Sequence, residues 1–481
     1  MMSLIINHTL SFLFFLIIIG SILVVITDER DSGKKIAWIL VIALLPVIGI
    51  ILYIMLGFDI RRTRLFNARR RAFLKFFHAR ADRRIKDMLF GDTALQKVRP
   101  EYRELATLLS RSNGTSVTDN NNIEIITSGK RKYEALTEDI LNARHHIHVE
   151  YFLFKKDRSS KKIRQLLMQK AREGVKVRFI YENIANINIR PRYFKEMKKA
   201  GVDVVSFTDP KFSILRLSAM LNYRDHRKIV VIDGKIGYTG GMNISEDYFI
   251  RWRDTHIRIT GNAVSSLQYS FMTSFINSGG KIDGEFREYF PEQPVRPGND
   301  ILMQIAPDEP DDKWPILQMA TVWAVEHARD YIYIQTPYFV PPEPLLLALK
   351  SAALKGTDVR LMLPQKPDSI YMGPANRSYY KECLEAGIRI YEWTGTFIHS
   401  KTIVSDDYLS VIGSANMDFR SLEINYEVNS YIYSKDIALA NKAIFEKDLG
   451  QCREITLHRW KQRPWYSRLG QHVMQLFSPI L

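Results

Sequence analysis

The sequence predicts an α/β protein in which two homologous halves share one active site, preceded by a transmembrane hairpin of two helices. Three observations support this fold class. The order strand, helix, glycine, strand occurs twice in the chain, which is typical of α/β architecture. A set of polar motif residues recurs at a constant spacing of 173 positions (226 to 399), which indicates an internal duplication. Two long apolar runs without charged residues stand near the N-terminus.

These two apolar runs predict the hairpin, assigned to residues 1–57. Leu4 to Val25 and Ile36 to Leu56 contain no Asp, Glu, Lys or Arg, and each has about the 20 residues that a helix needs to cross a bilayer. A cleaved signal peptide is the alternative for the first run, but that run lacks a basic start and a second run follows at once. Between Arg61 and Lys86 there are eleven Lys or Arg and one acidic residue. Positive charge stays inside the cell, so we expect a multi-pass cell-membrane protein with a cytoplasmic catalytic domain.

Residues 58–115 are assigned to a basic juxtamembrane amphipathic segment. Its densest part, 61–84, interleaves arginines with apolar side chains, which is typical of a helix that lies on anionic lipid headgroups. A plain topology signal on a solvated helix is the alternative. The side chains expected to contact lipid are Phe66, Phe73, Leu74, Phe76 and Phe77.

Composition limits the partners and the chemistry. The chain has 68 Lys and Arg against 52 Asp and Glu, a formal net charge of +16, which favours an anionic partner such as a membrane surface or a nucleic acid. The two cysteines, Cys383 and Cys452, stand outside any CxxC or Cys/His cluster. We therefore expect neither a disulfide framework nor a zinc site.

A strand-like segment, 145–154, carries three closely spaced histidines, at positions 145, 146 and 148. We interpret them as one buried and two partly exposed strand residues, because no cysteine or carboxylate spacing supports a metal site. Glu150 and Tyr151, on the same segment, are expected at the edge of the pocket.

The two halves are assigned to residues 116–290 and 291–455. In each half a strand-like segment is followed by a helix-like segment, a glycine and a second strand-like segment. A stretch near 280–300 is rich in Gly, Pro and charge, as expected of a linker. Residues 456–481 predict an amphipathic helix, packed either on the domain or on the membrane. The repeated segments are 145–154, 161–174 and 175–182 in the first half, and 331–340, 343–356 and 357–364 in the second.

Each half also carries a His-x-Lys-x4-Asp motif that is followed by a glycine and an asparagine. His and Lys two positions apart on a strand point to the same face, so an imidazole and an ammonium group lie side by side. The candidate catalytic residues are His226, Lys228 and Asp233 in the first half, and His399, Lys401 and Asp406 in the second. The candidate phosphate-binding or histidine-orienting residues are Asn243, Asp254, Asn416 and Glu427.

Two such halves facing each other would hold a tetrahedral phosphate and cleave a phosphodiester. One histidine attacks phosphorus, and the other protonates the leaving oxygen and then deprotonates the acceptor. The lysines and asparagines stabilise charge on the phosphate oxygens, so no metal is required. Asp254 and Glu427 each follow a motif asparagine by eleven residues and are suited to accept the far N–H of an imidazole. Asp233 and Asp406 are expected to brace the local backbone.

These motifs resemble the paired HxKxxxxD signatures, each followed by G-[GS]-x-N, of the phospholipase D superfamily. Within it the chain is similar, over nearly its whole length, to the bacterial cardiolipin synthases. The resemblance implies transfer of a phosphatidyl group from one phosphatidylglycerol to another, with His226 as nucleophile and His399 as acid and base. One departure concerns the acceptor site, where YENIANINI (181–189) stands in place of an Asp-Gly turn. The matching segments are NYRDHRKIVVIDG (222–234), WRDTH (252–256), TPYFVP (336–341) and FIHSKTIVSDD (397–407).

Other functions remain open at this point. A hydrolase, or a transferase that forms phosphatidylserine, differs only in the acceptor. A nuclease uses the same pocket, but its basic residues should follow the groove, whereas here the densest cluster stands beside the apolar runs. Intact motifs in both halves disfavour a non-catalytic lipid scaffold. We predict phosphatidylglycerol as substrate, the membrane as partner, no nucleic-acid partner and no cofactor.

Overall fold

The computed structural model describes residues 2–27, 32–54, 68–189, 191–207, 223–295, 300–310 and 312–476. The chain divides into two compact units, a small one that contains the N-terminal helices and a large one that contains nearly all the rest. Phe66, predicted to contact lipid, lies outside the described residues.

The N-terminal unit is helical. Its helices are α1 (Met2–Thr27), α2 (Ser32–Leu44) and α3 (Pro46–Leu52). The second predicted span is interrupted, because Pro46 has no backbone N–H to continue α2 and instead begins α3. Val25, Ile42 and Tyr53 form a small buried cluster between the helices.

The outer surface of these helices is apolar. Side chains such as Phe12, Phe15, Leu44 and Val47 are more than half exposed. Within the described residues, however, no helix combines the length and the apolar character that crossing a membrane requires. The side chains of α1 are described without a break only over 11–27. The two-span hairpin therefore stays a prediction.

The large unit begins with three helices and continues with the first half. The helices are α4 (Ala68–Arg80), α5 (Arg83–Phe90) and α6 (Arg103–Asn113). The strands of the first half are β1 (Thr118–Ile126), β2 (His146–Tyr151), β3 (Lys176–Tyr181), β4 (Asp203–Ser206), β5 (Lys228–Ile232), β6 (Ile236–Gly240), β7 (Trp252–Arg253) and β8 (His256–Gly261). Its helices are α7 (Gly129–Asn142), α8 (Arg158–Arg172), α9 (Pro191–Lys199), α10 (Glu246–Ile250), α11 (Ala263–Asn277) and α12 (Phe286–Tyr289).

The second half repeats this order and ends in two further helices. Its strands are β9 (Ile301–Asp308), β10 (Tyr331–Gln335), β11 (Phe339–Val340), β12 (Asp358–Pro364), β13 (Arg389–Trp393), β14 (Phe397–Ile398), β15 (Thr402–Ser405), β16 (Leu409–Gly413), β17 (Met417–Asp418), β18 (Glu427–Tyr433) and β19 (Cys452–Ile455). Its helices are α13 (Ile316–His327), α14 (Glu343–Leu354), α15 (Met372–Ser378), α16 (Tyr380–Glu385), α17 (Phe419–Glu423) and α18 (Lys435–Leu449), followed by α19 (Leu457–Lys461) and α20 (Trp465–Leu476).

One mixed sheet joins the two halves. Among the described residues its strand order is β19-β13-β12-β10-β15-β16-β18-β9-β1-β8-β6-β5-β2-β3-β4. The order is the same when read outwards from the β9–β1 contact in either direction, except for the added edge strand β19. The predicted duplication is therefore confirmed, and the repeated strand, helix, strand segments form β2-α8-β3 and β10-α14-β12. Gly174 and Gly356 end the two helices with positive φ, as glycines at this position do.

The basic segment after the apolar runs is packed differently from the prediction. Phe73 and Phe77 on α4 are buried in the core of the large unit, and the ring of Phe77 lies 4.7 Å from that of Phe286. Burying each ring contributes about 1.5–3 kcal/mol, so these two side chains belong to the protein core. Phe76 stays partly exposed. The prediction of lipid contact is therefore wrong for Phe73 and Phe77.

Two further expectations need correction. The Gly- and Pro-rich stretch near 280–300 is more than a linker, because α12 and Phe290 pack into the core. The histidine-rich strand has two buried members, since His146 and His148 are fully buried and only His145 is partly exposed. Gln268 contacts the ring nitrogens of both buried histidines, at 3.1 and 2.8 Å, and burial lowers the pKa of His146 to about 3.

The C-terminal helix α20 packs against α15 with its polar side. Gln471 is buried and accepts a hydrogen bond from Arg463. Most of its apolar side chains point away from the protein, and Trp465, Leu469 and Leu476 are 70%, 55% and 78% exposed, whereas Met474 packs against the core. This distribution is the reverse of that on a helix that covers a protein core.

Candidate functional site

The two motif histidines are positioned by backbone hydrogen bonds that cross between the halves. The N–H of His226 donates to the carbonyl of Tyr426, at 2.9 Å, and the N–H of His399 donates to the carbonyl of Arg253, at 2.7 Å. Each carbonyl belongs to the residue just before one of the predicted carboxylates. The chain path therefore brings each histidine next to a carboxylate from the opposite half.

Side-chain hydrogen bonds follow this exchange. Nδ1 of His226 lies 2.9 Å from Oε1 of Glu427, and Nδ1 of His399 lies 2.8 Å from Oδ2 of Asp254. Both carboxylates are fully buried. A neutral imidazole that donates from Nδ1 keeps its lone pair on Nε2, so each carboxylate can set both the tautomer and the ring orientation of its partner.

The motif lysines lie beside the histidines. Nζ of Lys228 and Nζ of Lys401 each donate to the carbonyl of the histidine two residues earlier, at 2.5 Å. Burial lowers the pKa of Lys228 to about 7 and that of Lys401 to about 8. The charge of Lys401 also lowers the pKa of Lys228 by electrostatic repulsion. The lysines of the two motifs therefore lie close together at one site.

The two histidines differ in what surrounds Nδ1. At His399 this nitrogen also lies 2.8 Å from Nζ of Lys401, so a donor and an acceptor compete for it. At His226, within the described part of the chain, the nearest partners of Nδ1 are the two oxygens of Glu427. Burial lowers the pKa of His226, and burial together with Lys401 holds the pKa of His399 well below its usual range.

The carboxylates also differ in their ionisation. Burial raises the pKa of Asp254 to about 6. Burial would raise the pKa of Glu427 as well, but the charge of His226 and its hydrogen bond, with Lys228 and the Ser414 hydroxyl, lower it overall. Glu427 is therefore the more firmly anionic of the two.

The asparagines of the motifs lie in the walls of the site. Nδ2 of Asn243 donates to the hydroxyl of Tyr248 at 2.7 Å, and Nδ2 of Asn416 donates to Asp418 at 2.9 Å. Both asparagines are buried. Oδ1 of Asn416 has no hydrogen-bond partner among the described residues.

The motif aspartates lie at the far ends of their strands, away from the histidines. Asp233 accepts hydrogen bonds from the backbone N–H groups of residues 144–146, and Asp406 accepts them from residues 329–331, all at 2.8–3.0 Å. Both aspartates have positive φ. A strand of five residues such as β5 separates Asp233 from Lys228 by roughly 16 Å. Their carboxylates brace the start of β2 and β10 and do not line the pocket.

A buried charge cluster behind the first motif was not predicted. Arg227, between the motif His and Lys, is fully buried and contacts Glu150, Asp225 and Glu309 at 3.1–3.2 Å. Glu309 follows β9, so the guanidinium links the two halves. Glu150 was expected at the pocket edge but is fully buried, and burial raises its pKa well above the usual range. The repeat gave no signal for this cluster, because Ser400 stands where the second motif would need an arginine.

Aromatic side chains enclose the site. The hydroxyl of Tyr248 lies 3.4 Å from Nδ1 of His399, and the rings of Phe152 and Trp252 lie 4.9 and 5.5 Å from those of His226 and His399. The sequence offered no repeat signal for these residues, since Tyr248 has Ser421 at the equivalent position.

The arrangement fits anion binding and histidine chemistry. Two imidazoles and two ammonium groups converge in a desolvated site, where their interactions with a phosphate are stronger than in water. Among the residues that the structure describes, no group of His, Cys, Asp or Glu is suited to hold a metal ion.

Comparisons with known proteins show the family of the chain. The family model described as cardiolipin synthase, PLD-like domain, matches residues 136–274 and 323–449, and one described as phospholipase D–nuclease N-terminal matches residues 14–57. The chain is 38% identical to the major cardiolipin synthase of Bacillus subtilis (strain 168), with 98% of each chain covered. It is 34% identical to a cardiolipin synthase of Halalkalibacterium halodurans, with 95% of this chain and 91% of the relative covered.

A solved structure shares the fold. The crystal structure of phosphatidylserine synthase from Haemophilus influenzae Rd KW20 is similar with a TM-score of 0.57 at 14% identity, covering 75% of this chain and 95% of the other.

Proposed function

Because the chain belongs to the cardiolipin synthase family of phospholipase D-type phosphatidyltransferases, we propose that it transfers a phosphatidyl group between two phosphatidylglycerol molecules and releases glycerol. The observation that carries this proposal is the exchange of carboxylates, which joins His226 and His399 in one buried cationic site. A phosphodiester has one negative charge to be bound and one leaving oxygen to be protonated, and this site offers groups for both.

In the first step Nε2 of His226 attacks phosphorus, so that a P–N bond forms and the P–O bond to the first headgroup breaks. The leaving glycerol oxygen takes a proton from Nε2 of His399. In the second step a hydroxyl of the acceptor lipid attacks phosphorus, gives its proton to His399 and releases His226. Two easier displacements thus replace one direct transfer.

The surroundings of Nδ1 support this order of roles. Glu427 accepts the Nδ1 proton of His226, which leaves a lone pair on Nε2 for attack. Asp254 can accept the Nδ1 proton of His399, which stabilises the imidazolium whose Nε2 proton goes to the leaving group and leaves a neutral ring as base for the second step. Asn243, Asn416 and the lysines lie in the walls of the site, where they can stabilise charge on the phosphate oxygens.

The N-terminal helices anchor the enzyme in the cell membrane as a two-span hairpin, with the catalytic unit on the cytoplasmic side. Support comes from the exposed apolar side chains of α1, α2 and α3, since soluble proteins rarely expose such large apolar patches. The basic residues between Arg61 and Lys86 support the orientation. The family model of the N-terminal region covers the same residues.

The outward face of α20 contacts the same membrane. Trp465, Tyr466 and Leu469 are exposed on one side of the helix, and Arg468 is exposed beside them. Aromatic rings and arginines together favour the interface of an anionic bilayer.

The test is to incubate the purified full-length protein with phosphatidylglycerol vesicles and to identify the lipid products by mass spectrometry. Cardiolipin and glycerol in equal amounts are expected. Phosphatidic acid as the main product would instead indicate a hydrolase. His226→Ala and His399→Ala should each abolish consumption of phosphatidylglycerol, and full activity of either variant would overturn the proposed site.

A further inference from the structure

The segment that follows β12 is longer than the segment that follows β3, its counterpart in the first half. Asn186 and Asn376 are structurally equivalent, because Oδ1 of each accepts the backbone N–H of an equivalent phenylalanine, Phe154 at 3.0 Å and Phe339 at 2.9 Å. The two members of each pair are 32 residues apart in the first half and 37 apart in the second. Counted from the equivalent glycines, Gly174 and Gly356, the asparagine follows after 12 residues in the first half and 20 in the second. The second half therefore has eight additional residues between Gly356 and Asn376, in the segment that includes the loop 365–371.

This loop brings a carboxylate to the mouth of the site. The hydroxyl of Tyr338 donates to Oδ1 of Asp368 at 2.7 Å, and the ring of Tyr338 lies 6.5 Å from that of His399, edge to face. The negative charge of Asp368 acts on Lys401, where it partly offsets the lowering of the pKa by burial. It also acts on Tyr248, on the other side of His399. Asp368 is exposed, so it can reach a bound molecule.

A carboxylate in this position does not serve the donor phosphate, because two anions repel each other. It accepts hydrogen bonds from hydroxyl or ammonium groups. His399, whose ring lies beside that of Tyr338, is the base for the acceptor hydroxyl in the proposed reaction. The acceptor is a glycerol headgroup, which carries a second hydroxyl on the carbon next to the attacking one.

We propose that Asp368 binds the second hydroxyl of the acceptor glycerol and so selects a vicinal diol over water and simple alcohols. This inference rests on the proposed function. During transfer the primary hydroxyl oxygen forms a new P–O bond, the P–N bond to His226 breaks, and the proton moves to Nε2 of His399. Throughout this step the secondary hydroxyl donates a hydrogen bond to Asp368 and remains chemically unchanged.

The discriminating experiment measures competition between two acceptors. Full-length protein in phosphatidylglycerol vesicles receives equal concentrations of isotope-labelled glycerol and 1-propanol, and labelled phosphatidylglycerol, phosphatidylpropanol, cardiolipin and phosphatidic acid are quantified. The wild type is expected to prefer glycerol. Asp368→Asn should lower the glycerol-to-propanol product ratio roughly tenfold, the effect of one charge-assisted hydrogen bond, and should raise the share of phosphatidic acid. Phosphatidylglycerol should still be consumed, with part of the product shifted from cardiolipin to phosphatidic acid, because donor cleavage does not use this carboxylate.

Two variants serve as comparisons. Glu385→Gln removes an exposed carboxylate of the same half, on α16, and should keep the wild-type product ratio. Tyr338→Phe keeps the ring but releases Asp368, and should lower the ratio by less than Asp368→Asn does.

The outcomes separate this inference from the proposed function. An unchanged product ratio in Asp368→Asn, or loss of all phosphatidylglycerol consumption in that variant, would overturn the role of Asp368 while the proposed function stands. If ethanolamine outcompetes glycerol in the wild type and loses this advantage in Asp368→Asn, the carboxylate selects amines and the diol assignment is wrong. A wild type that consumes no phosphatidylglycerol would overturn the proposed function and this inference with it.

Discussion

Glu427 belongs to the second half of the catalytic unit, yet its carboxylate lies 2.9 Å from Nδ1 of His226 in the first half. Glu427→Gln keeps the size of the side chain and removes the charge that fixes the imidazole. We expect phosphatidylglycerol consumption to fall roughly ten- to a hundredfold, the usual effect of losing a group that orients a functional histidine. The rate should be measured in phosphatidylglycerol vesicles.

Two further variants make this test specific. Glu454→Gln, which changes a partly exposed ion pair with Arg389, should retain the wild-type rate. His226→Ala combined with Glu427→Gln should be no slower than His226→Ala alone, because the carboxylate acts through the histidine. Wild-type activity of Glu427→Gln would show that the contact has no catalytic consequence.

Activity should be highest within a narrow pH range, between about 6 and 7. Below pH 6 Asp254, with its pKa of about 6, takes up a proton and no longer holds the Nδ1 proton of His399. Above pH 7 Lys228, with its pKa of about 7, loses the charge that binds phosphate. The rate at low substrate concentration should therefore fall on both sides, as measured by kcat/KM for phosphatidylglycerol across about pH 5 to 9.

Lys228→Arg tests the alkaline side of this profile. Arginine keeps its charge throughout the range, so the remaining limit is Lys401, with its pKa of about 8. The alkaline limb should move upward by about one pH unit, whatever the change in the maximal rate. An alkaline limb that stays in place would exclude Lys228 as its cause.

Arg227 should be essential for stability. Arg227→Met removes a guanidinium that contacts Glu150, Asp225 and Glu309 and leaves these buried carboxylates without that charge. Breaking such a buried pair costs about 3–5 kcal/mol. Urea unfolding of the detergent-solubilised protein, followed by tryptophan fluorescence, measures the loss.

Glu150→Gln is the matched variant for this cluster. Because the pKa of Glu150 is raised well above its usual range by burial, glutamine replaces a carboxyl group that already tends to be protonated. The expected loss of stability is about 1 kcal/mol, the effect of one altered hydrogen bond. Equal losses for Arg227→Met and Glu150→Gln would contradict the assignment of charge within the cluster.

The outward face of α20 should strengthen binding of the enzyme to phospholipid vesicles. Replacing Trp465, Tyr466 and Leu469 together by serine removes three of the exposed apolar side chains of this helix. We expect the KM for phosphatidylglycerol in vesicles to rise about tenfold with little change in kcat, because about 1.4 kcal/mol of interfacial binding is lost. Leu439→Ser, which removes another exposed leucine on α18, should have no effect. Equal KM values for the triple variant and the wild type would contradict lipid contact by α20.

Local sequence patterns predicted the repeated elements well. The segments 161–174 and 343–356 form α8 and α14 within a few residues of their predicted limits, because apolar periodicity and a terminal glycine are local signals. The same signals failed for α4. Its arginines and aromatics fit a lipid surface as well as a protein surface, and only the packing of Phe77 against Phe286 distinguishes the two.

The sequence by itself determined the duplication, the paired motifs and the two carboxylates that recur with them, because each is a matter of residue type and spacing along one chain. Only the tertiary structure decided that the carboxylate of Glu427 lies at Nδ1 of His226 and that of Asp254 at Nδ1 of His399. A spacing within each half carries no information about which half a side chain faces. The same holds for the Arg227 cluster and for Asp368, whose roles depend on neighbours distant in sequence and on burial from water.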